Sequence, residues 1–420
     1  MMFNRDRWNE ILETLTSNWF RTLLTAFGVF WGIFILILLL SAGKGLENGI
    51  KSDFGDIATN TMFIWTQTIT RSYQGMPKGR RFNYRLRDVE DLRENFKDLR
   101  FISPRNQLNG FNGSNNVIRG LKTGAYNVYG DYPEIIEQEP MDIVSGRFIN
   151  YSDINEKRKV AVIGESVKTG LYERGEDPIG TYVKINGVNF MVIGIYKKKT
   201  SGGDAEEAQK QIFVPFTSFS QAFNQGDKVG WMAITANDQV PITDIKEQIV
   251  ALLKKNHKIH PEDTRAIGYF DLFEQYQRVE NLFTALKVIA YFVGILVLLS
   301  GVIGISNIML IVVKERTKEI GIRRAIGASP WNIKGQILTE SIVLTLISGM
   351  AGIAFGALVI YLVNLTLESV GPVDMFMNPS VSLGVIFTAL SILIFSGLLA
   401  GFVPANSAIK IKPVEALRTE

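Results

Sequence analysis

Four stretches of this chain contain no Asp, Glu, Lys or Arg: residues 22–43, 288–313, 341–367 and 375–409. Each is longer than the roughly 20 residues that cross a hydrocarbon core about 30 Å thick at 1.5 Å per residue. A buried helix of a soluble protein rarely stays uncharged for so long. The stretches predict transmembrane helices at 22–43, 288–313, 341–367 and 381–404, the last taken from the apolar heart of its run. The first is too long for the apolar region of a cleavable signal, and no small-x-small cleavage site follows it. Between the first and second spans, residues 44–287 are charged throughout and must form a separate domain.

Lys and Arg in the short flanking segments set the orientation. Loop 314–340 carries Lys314, Arg316, Lys318, Arg323, Arg324 and Lys334, the N-terminal segment Arg5, Arg7 and Arg21, and the tail 405–420 Lys410, Lys412 and Arg418. The other short loop, 368–380, has neither residue type. Both termini and the basic loop are therefore expected in the cytoplasm, and 44–287 outside it, since long domains cross largely regardless of charge. Residues 1–21 read as an amphipathic helix lying in the lipid interface, with Trp8, Ile11, Leu12, Leu15 and Trp19 opposite Arg5, Glu10 and Glu13.

The outer segment opens and closes on helical stripes, Leu46, Ile50, Phe54 and Ile57 at one end and Leu272, Tyr276, Val279 and Phe283 at the other. These predict stalk helices. Between them, strands are expected at 182–185 and 188–195 about an Asn186-Gly187 type I′ turn, and at 160–163, 212–214 and 231–235. Amphipathic helices are expected at 87–96 and 242–253. The fold class is thus a four-helix membrane protein with a large exported α+β domain on stalks. A basic loop, 71–87, reads as a solvated surface that also suits anionic lipid or an acidic partner, and 200–209 reads as a connector. His257 and His260 stand at i, i+3, but no third ligand accompanies them, and no metal site is expected.

Several chemistries have no support. With no cysteine among the 420 residues, disulfides, Cys-based zinc sites and thiol nucleophiles are excluded. The net charge of +4, without a basic helix carrying interleaved aromatics, gives no nucleic-acid partner. No phosphate-binding G-x-x-x-x-G-K-[ST] loop, G-x-S-x-G or H-E-x-x-H occurs. The chain is expected to be no enzyme and to bind no cofactor. The span interiors also lack the ionisable groups that ion- and proton-coupled transporters use, so energy must come from a partner. Small residues four apart, Gly28 and Gly32, Ser300 and Gly304, Ser348, Gly352 and Gly356, Gly397 and Gly401, allow close helix approach within the monomer or across a dimer.

Loop 314–340 is the most informative segment. Glu319 and Arg323 stand at i, i+4 in the favourable order, Ile322 and Ile326 make an apolar edge, and Gly327 suits a helix end. Ser329 and Pro330 then read as the N-cap and first turn of a new helix that Ile333, Ile337 and Leu338 carry into the third span. A short helix, a corner and a long helix make an elbow able to pass force from a cytoplasmic partner into the membrane.

Three segments resemble the permease family that contains the macrolide exporter MacB, the cell-division protein FtsX and the lipoprotein-releasing permeases. They are residues 18–25 (NWFRTLLT) leading to Gly28 and Gly32; Asn307-Ile308-Met309 with residues 315–328 (ERTKEIGIRRAIGA); and residues 401–405 (GFVPA) with Ala408 and residues 413–418 (PVEALR). The layout is similar too: one span, an outer domain, three spans. The resemblance, closest to MacB-like permeases, implies a multi-pass protein of the bacterial inner membrane, dimeric with itself or a homologous permease and surrounded by lipid. It implies a cytoplasmic ATP-binding-cassette ATPase that binds ATP and Mg and is expected as a separate polypeptide. A periplasmic adaptor and an outer-membrane duct are further partners it allows. The coupling residues would be Arg316, Glu319, Ile320, Gly321, Ile322, Arg323, Arg324, Ala325 and Gly327, and the outer domain would move with ATP hydrolysis to drive export. The alternative is a permease of similar mechanics that regulates a cell-wall hydrolase or releases lipoproteins.

Overall fold

The computed structural model describes residues 19–54, 58–108, 115–198, 207–370 and 376–412. The interfacial helix expected before Trp19, most of the 200–209 connector, and the tail from Pro413 lie outside these residues. Two compact units are present, 1–50 with 282–420, and 51–281.

In hydrocarbon a backbone has no water to bond, so an uncharged stretch must satisfy its own N–H and C=O groups as helix. Among the described residues, four helices are long and apolar enough to cross a membrane: Trp19–Phe54, Leu272–Glu315, Pro330–Val370 and Leu383–Ile409. Three of them run well beyond the charge-free stretches. Val29, Ile33, Leu36 and Ile37 of the first share a core with Leu298, Ile305 and Met309 of the second, Leu344 of the third, and Leu393 and Ala400 of the fourth. Large apolar side chains such as Phe292, Ile303, Tyr361 and Phe387 point outward, which suits lipid and not water. The buried hydroxyls of Ser341, Thr345 and Ser348 donate to the carbonyls of Ile337, Ser341 and Leu344, four residues back, so none needs a partner helix.

Among its described residues the outer unit contains thirteen strands: β1 (Thr61–Thr66), β2 (Tyr84–Arg85), β3 (Leu99–Gln107), β4 (Asn115–Arg119), β5 (Lys122–Asp131), β6 (Asp142–Gly146), β7 (Val160–Gly164), β8 (Tyr182–Ile185), β9 (Val188–Lys197), β10 (Gln211–Pro215), β11 (Lys228–Val229), β12 (Trp231–Ala236) and β13 (Ile267–Asp271). One lobe is an antiparallel sheet in the order β3-β12-β1-β13. Helix Leu86–Asn95 links β1 to β3 by way of β2, and helix Ile242–Asn256 links β12 to β13, a split βαβ arrangement. Val89 and Leu92 of one helix and Ile245, Ile249 and Leu253 of the other share a core with Met62, Ile64, Ile102, Met232 and Ile234.

Between β3 and β12 the chain inserts a second lobe. Its strands close in a ring, β5-β10-β7-β9-β8-β4 and back to β5, around Val117, Val128, Ile163, Val183, Phe190, Ile212 and Phe219. The hairpin between β8 and β9 turns on Asn186 (φ 43°) and Gly187 (φ 86°), both left-handed as a type I′ turn demands. The short edge pair of β2 and β11 is separate from the main sheet. The exported domain is therefore α+β, as expected, and its two lobes are one inside the other in sequence.

Candidate functional site

The basic loop folds as the elbow its residues predict. Helix Thr317–Ala325 follows Arg316 as N-cap and ends in a Schellman arrangement. There the Ala328 N–H donates to the Arg323 carbonyl at 3.0 Å and the Gly327 N–H to that of Arg324 at 3.1 Å. Gly327 sits at φ 104°, where a side chain would be strained. The next helix starts at Pro330, with the Ser329 hydroxyl accepting from the Asn332 N–H at 3.3 Å.

The arginines at this helix reach partners within the membrane unit, while Lys318 is exposed. Arg316 reaches the buried Glu340 of the third long helix at 3.2 Å. Arg323 pairs with Glu319 at 2.7 Å and donates to the Gln336 side chain at 3.0 Å. Arg324 donates to the carbonyls of Ile409 and Ile411, at the end of the fourth helix, at 2.7 and 2.8 Å. Ile320 and Gly321 are buried, and Ile320 lines, with Met309, Val313, Ile333 and Ile337 of the second and third helices, a void of about 20 Å³, room for one water at most. Ala325 and Ile322 are exposed, Ile326 is 83% exposed, and Trp331 at the start of the next helix is 76% exposed. Lys334 lies over the rings of Trp331 and Phe402. The elbow thus holds itself to two long helices through arginine and offers isoleucine and tryptophan outward. From sequence alone Glu340 and Trp331 have no role, and Lys334 only that of a basic residue setting the orientation. Their signal is the continuation of the loop's pattern into the first turns of the third helix.

The glycines divide. A Cβ on Gly28 would lie 3.2 Å from the Gly301 Cα, and one on Gly32 3.2 Å from Leu298. One on Gly352 would lie 2.6 Å from the Phe30 carbonyl oxygen, and on Gly356 2.8 Å from Ile37. Gly397 and Gly401 would meet Ile342 and Ser341 at 2.9 and 2.8 Å. Gly304 has no atom within 4 Å of that position; the close approach on the second helix belongs to Gly301, whose Cβ would meet Val29 at 2.9 Å.

In the exported domain, Arg105 on β3 is buried between the two lobes. Its guanidinium reaches Asp131 of β5 at 2.9 Å and Glu139 at 2.8 Å, and lies over the rings of Tyr129, Phe213 and Trp231. Lys198 completes the cluster, 2.9 Å from Glu139. Burial pushes the Asp131 carboxyl up to about 7, with Arg105 opposing it. Burial also works against the charge of Glu139, but Arg105 and Lys198 hold it down to about 2. The basic loop 71–87 is tied to the domain: Arg71 to Glu262 at 2.7 Å, Arg80 to the carbonyls of His257 and Lys258, and Arg85 to Asp227 at 2.9 Å. His257 bonds to Asp88 at 2.9 Å, and His260 lies edge-on to Tyr73.

Residues 22–252 match a family model described as the MacB-like periplasmic core domain, more than half of the chain, and residues 291–413 match that of the FtsX-like permease C-terminal region. The chain is 28% identical over 410 residues to the macrolide export ATP-binding/permease protein MacB of Bdellovibrio bacteriovorus, covering 97% of this chain and 61% of that protein. It is 30% identical over 421 residues to the pyoverdine export ATP-binding/permease protein PvdT of Pseudomonas putida, covering 98% and 60%. It therefore spans about three-fifths of the length of these relatives. Among solved structures, the periplasmic region of MacB from Actinobacillus actinomycetemcomitans aligns with 55% of this chain and 96% of that one, at 20% identity and a TM-score of 0.43.

Proposed function

The chain belongs to the MacB/FtsX-like family of ABC transporter permeases, multi-pass proteins of the inner membrane, and from that premise we propose that it is the membrane subunit of an exporter driven by a separate ATPase subunit. Both termini and the elbow lie in the cytoplasm on this reading, because the Lys and Arg of the short segments gather there. The ATPase holds ATP and Mg; this chain contributes the lever. Closure of the ATPase pushes on the elbow, and helix Pro330–Val370, unbroken for 41 residues or about 60 Å, carries the push through the bilayer. A second copy or a homologous permease completes the pair, and the exported domain changes its arrangement as the cycle runs. Relatives named for macrolide and pyoverdine export support a small molecule of the cell envelope as cargo. An adaptor and an outer-membrane duct would continue its path.

The observation that carries the reading is the two-sidedness of the elbow. Its arginines are committed to the third and fourth helices, so a force on Ile322, Ile326 and Trp331 has a stiff route inward. Ile326→Glu tests it, because a side chain 83% exposed can change without cost to the fold. Burying an isoleucine at a contact is worth about 1.5–3 kcal/mol. The charged variant should therefore lose about tenfold or more in co-purification with the ATPase and in ATP-driven export, with insertion unchanged and Ile326→Leu near normal. Full export by Ile326→Glu would refute the proposal.

A further inference from the structure

Helix Ile242–Asn256 lies against the end of the exported sheet, where β13 has a strand neighbour on one side only among the described residues. Between this helix, β13 and the segments around Tyr73 and Ile259 lies a cleft of about 540 Å³, within the size range of small-molecule sites. Its chemistry is graded along its length. Lys246, Val250 and Lys254 follow one another at four-residue spacing on one helix face, with Ala251 and Lys255 on the adjoining row. Val250, Ile259 and Ile267 form an apolar floor, walled by Tyr73 and the half-exposed Tyr269.

The two ends differ in free charge. Lys246 is already neutralised, 2.9 Å from Asp271 and 3.2 Å from Glu274, and it covers the Tyr269 ring. Glu247 stands at that same end of the cleft. At the other end Lys254 donates to the Pro261 carbonyl at 2.7 Å, which leaves the ammonium two further donors. Lys255 is exposed and makes no ion pair among the described residues. Eight residues of helix separate Lys246 from Lys254, about 12 Å.

We propose that this cleft binds an amphiphilic anion, its apolar body lying on Val250, Ile259 and Ile267 between the two tyrosines and its carboxylate or sulfonate held by Lys254 and Lys255. The site does not rest on the export reading, and its test does not involve transport. The full chain in nanodiscs of zwitterionic lipid is titrated with N-dansylglycine, which carries one aromatic body and one carboxylate, against empty nanodiscs. Saturable emission is expected. Dansylamide, with the same ring system and no carboxylate, should bind at least about tenfold more weakly. Ala251→Trp, at an exposed position on the cleft, should abolish binding, and Lys254→Glu with Lys255→Glu should weaken it at least about tenfold. Lys255→Glu alone, at an exposed side chain, covers the case in which the double variant fails to fold. No saturable signal, equal binding of dansylamide, or undiminished binding by Ala251→Trp would each overturn the proposal. Loss in Ala251→Trp with no effect of Lys255→Glu would make the cleft an apolar site only, and would refute the anion.

Discussion

Replacing Arg105 by Met keeps the length of the side chain over the Tyr129, Phe213 and Trp231 rings and removes the cation that bonds directly to both buried carboxylates. Arg105 is 3% exposed and Asp131 wholly enclosed, so no water replaces the guanidinium, and Lys198 is left paired to Glu139 and acting on Asp131 only at longer range. Breaking a buried ion pair by deleting one partner costs about 3–5 kcal/mol. A domain of about 230 residues melts about 2–4 °C lower per kcal/mol, so the variant should lose roughly 6–20 °C at pH 8. The loss should depend on pH. In the parent, Asp131 sits at about 7 because burial raises it, while Arg105 pulls it down; without Arg105 it rises further. A carboxyl whose folded value is raised contributes stability that is fully present below its unfolded value, near 3.8, and is lost as pH rises through the folded value. At pH 5 the variant can therefore protonate Asp131 and recover much of the deficit. Glu139, held down to about 2, contributes stability that is lost only as pH falls toward that value, outside this window. Thermal unfolding of the full chain in detergent, followed by tryptophan emission from Trp231 beside the cluster, measures both. An Arg105→Met protein melting within about 2 °C of the parent at pH 8, or with equal deficits at pH 5 and pH 8, would refute the reasoning.

Gly352→Val should destabilise the membrane helices by about 1–3 kcal/mol, because its Cβ would meet the Phe30 carbonyl at 2.6 Å, whereas Gly304→Ala should be neutral within about 0.5 kcal/mol; detergent-stability curves of the two variants separate these outcomes. Glu340→Ala should cost about 1–3 kcal/mol by leaving Arg316 without its buried acceptor, while Glu319→Ala, at a more exposed pair, should cost about 0.3–0.5 kcal/mol. Unfolding of each variant in denaturant checks the contrast. Arg324→Ala should loosen the end of the fourth helix by uncovering the carbonyls of Ile409 and Ile411, seen as faster amide exchange over 407–412 with the rest of the bundle unchanged.

The parts legible in the sequence are those set by local chemistry. Missing charge marks the long helices, Asn186-Gly187 can hardly turn a strand any other way, and Gly327 followed by Ser329-Pro330 ends one helix and starts another. The parts missed depend on distant partners. β3, which has Pro104 and Arg105 in it and is absent from the strands expected above, is an inner strand because β12 lies on one side and β5 joins its end. Nothing near Arg105 says that Asp131 and Glu139 will meet it. Within the monomer the close approach on the second helix falls elsewhere, for a geometric reason. Four-residue spacing favoured Ser300 and Gly304, but seven residues also return to one helix face, and Gly294 and Gly301 are the pair that the first helix packs upon.

The same dependence on distant partners shapes the elbow. A run with Arg316, Arg323 and Arg324 invites the idea that positive charge meets the cytoplasmic partner. In the folded chain each of these arginines has acceptors inside the membrane unit: Glu340, Glu319 with Gln336, and two carbonyls at the end of the fourth helix. These contacts tie the short helix to two long ones by directed polar bonds, which an apolar contact would not supply. The residues left facing outward, Ile322, Ile326 and Trp331, are then free to be buried by something else. On the proposed reading, stiffness and recognition fall to different side chains of one nine-residue helix and its corner, a separation that suits a lever, because a contact that both docks and braces would release its brace whenever it let go.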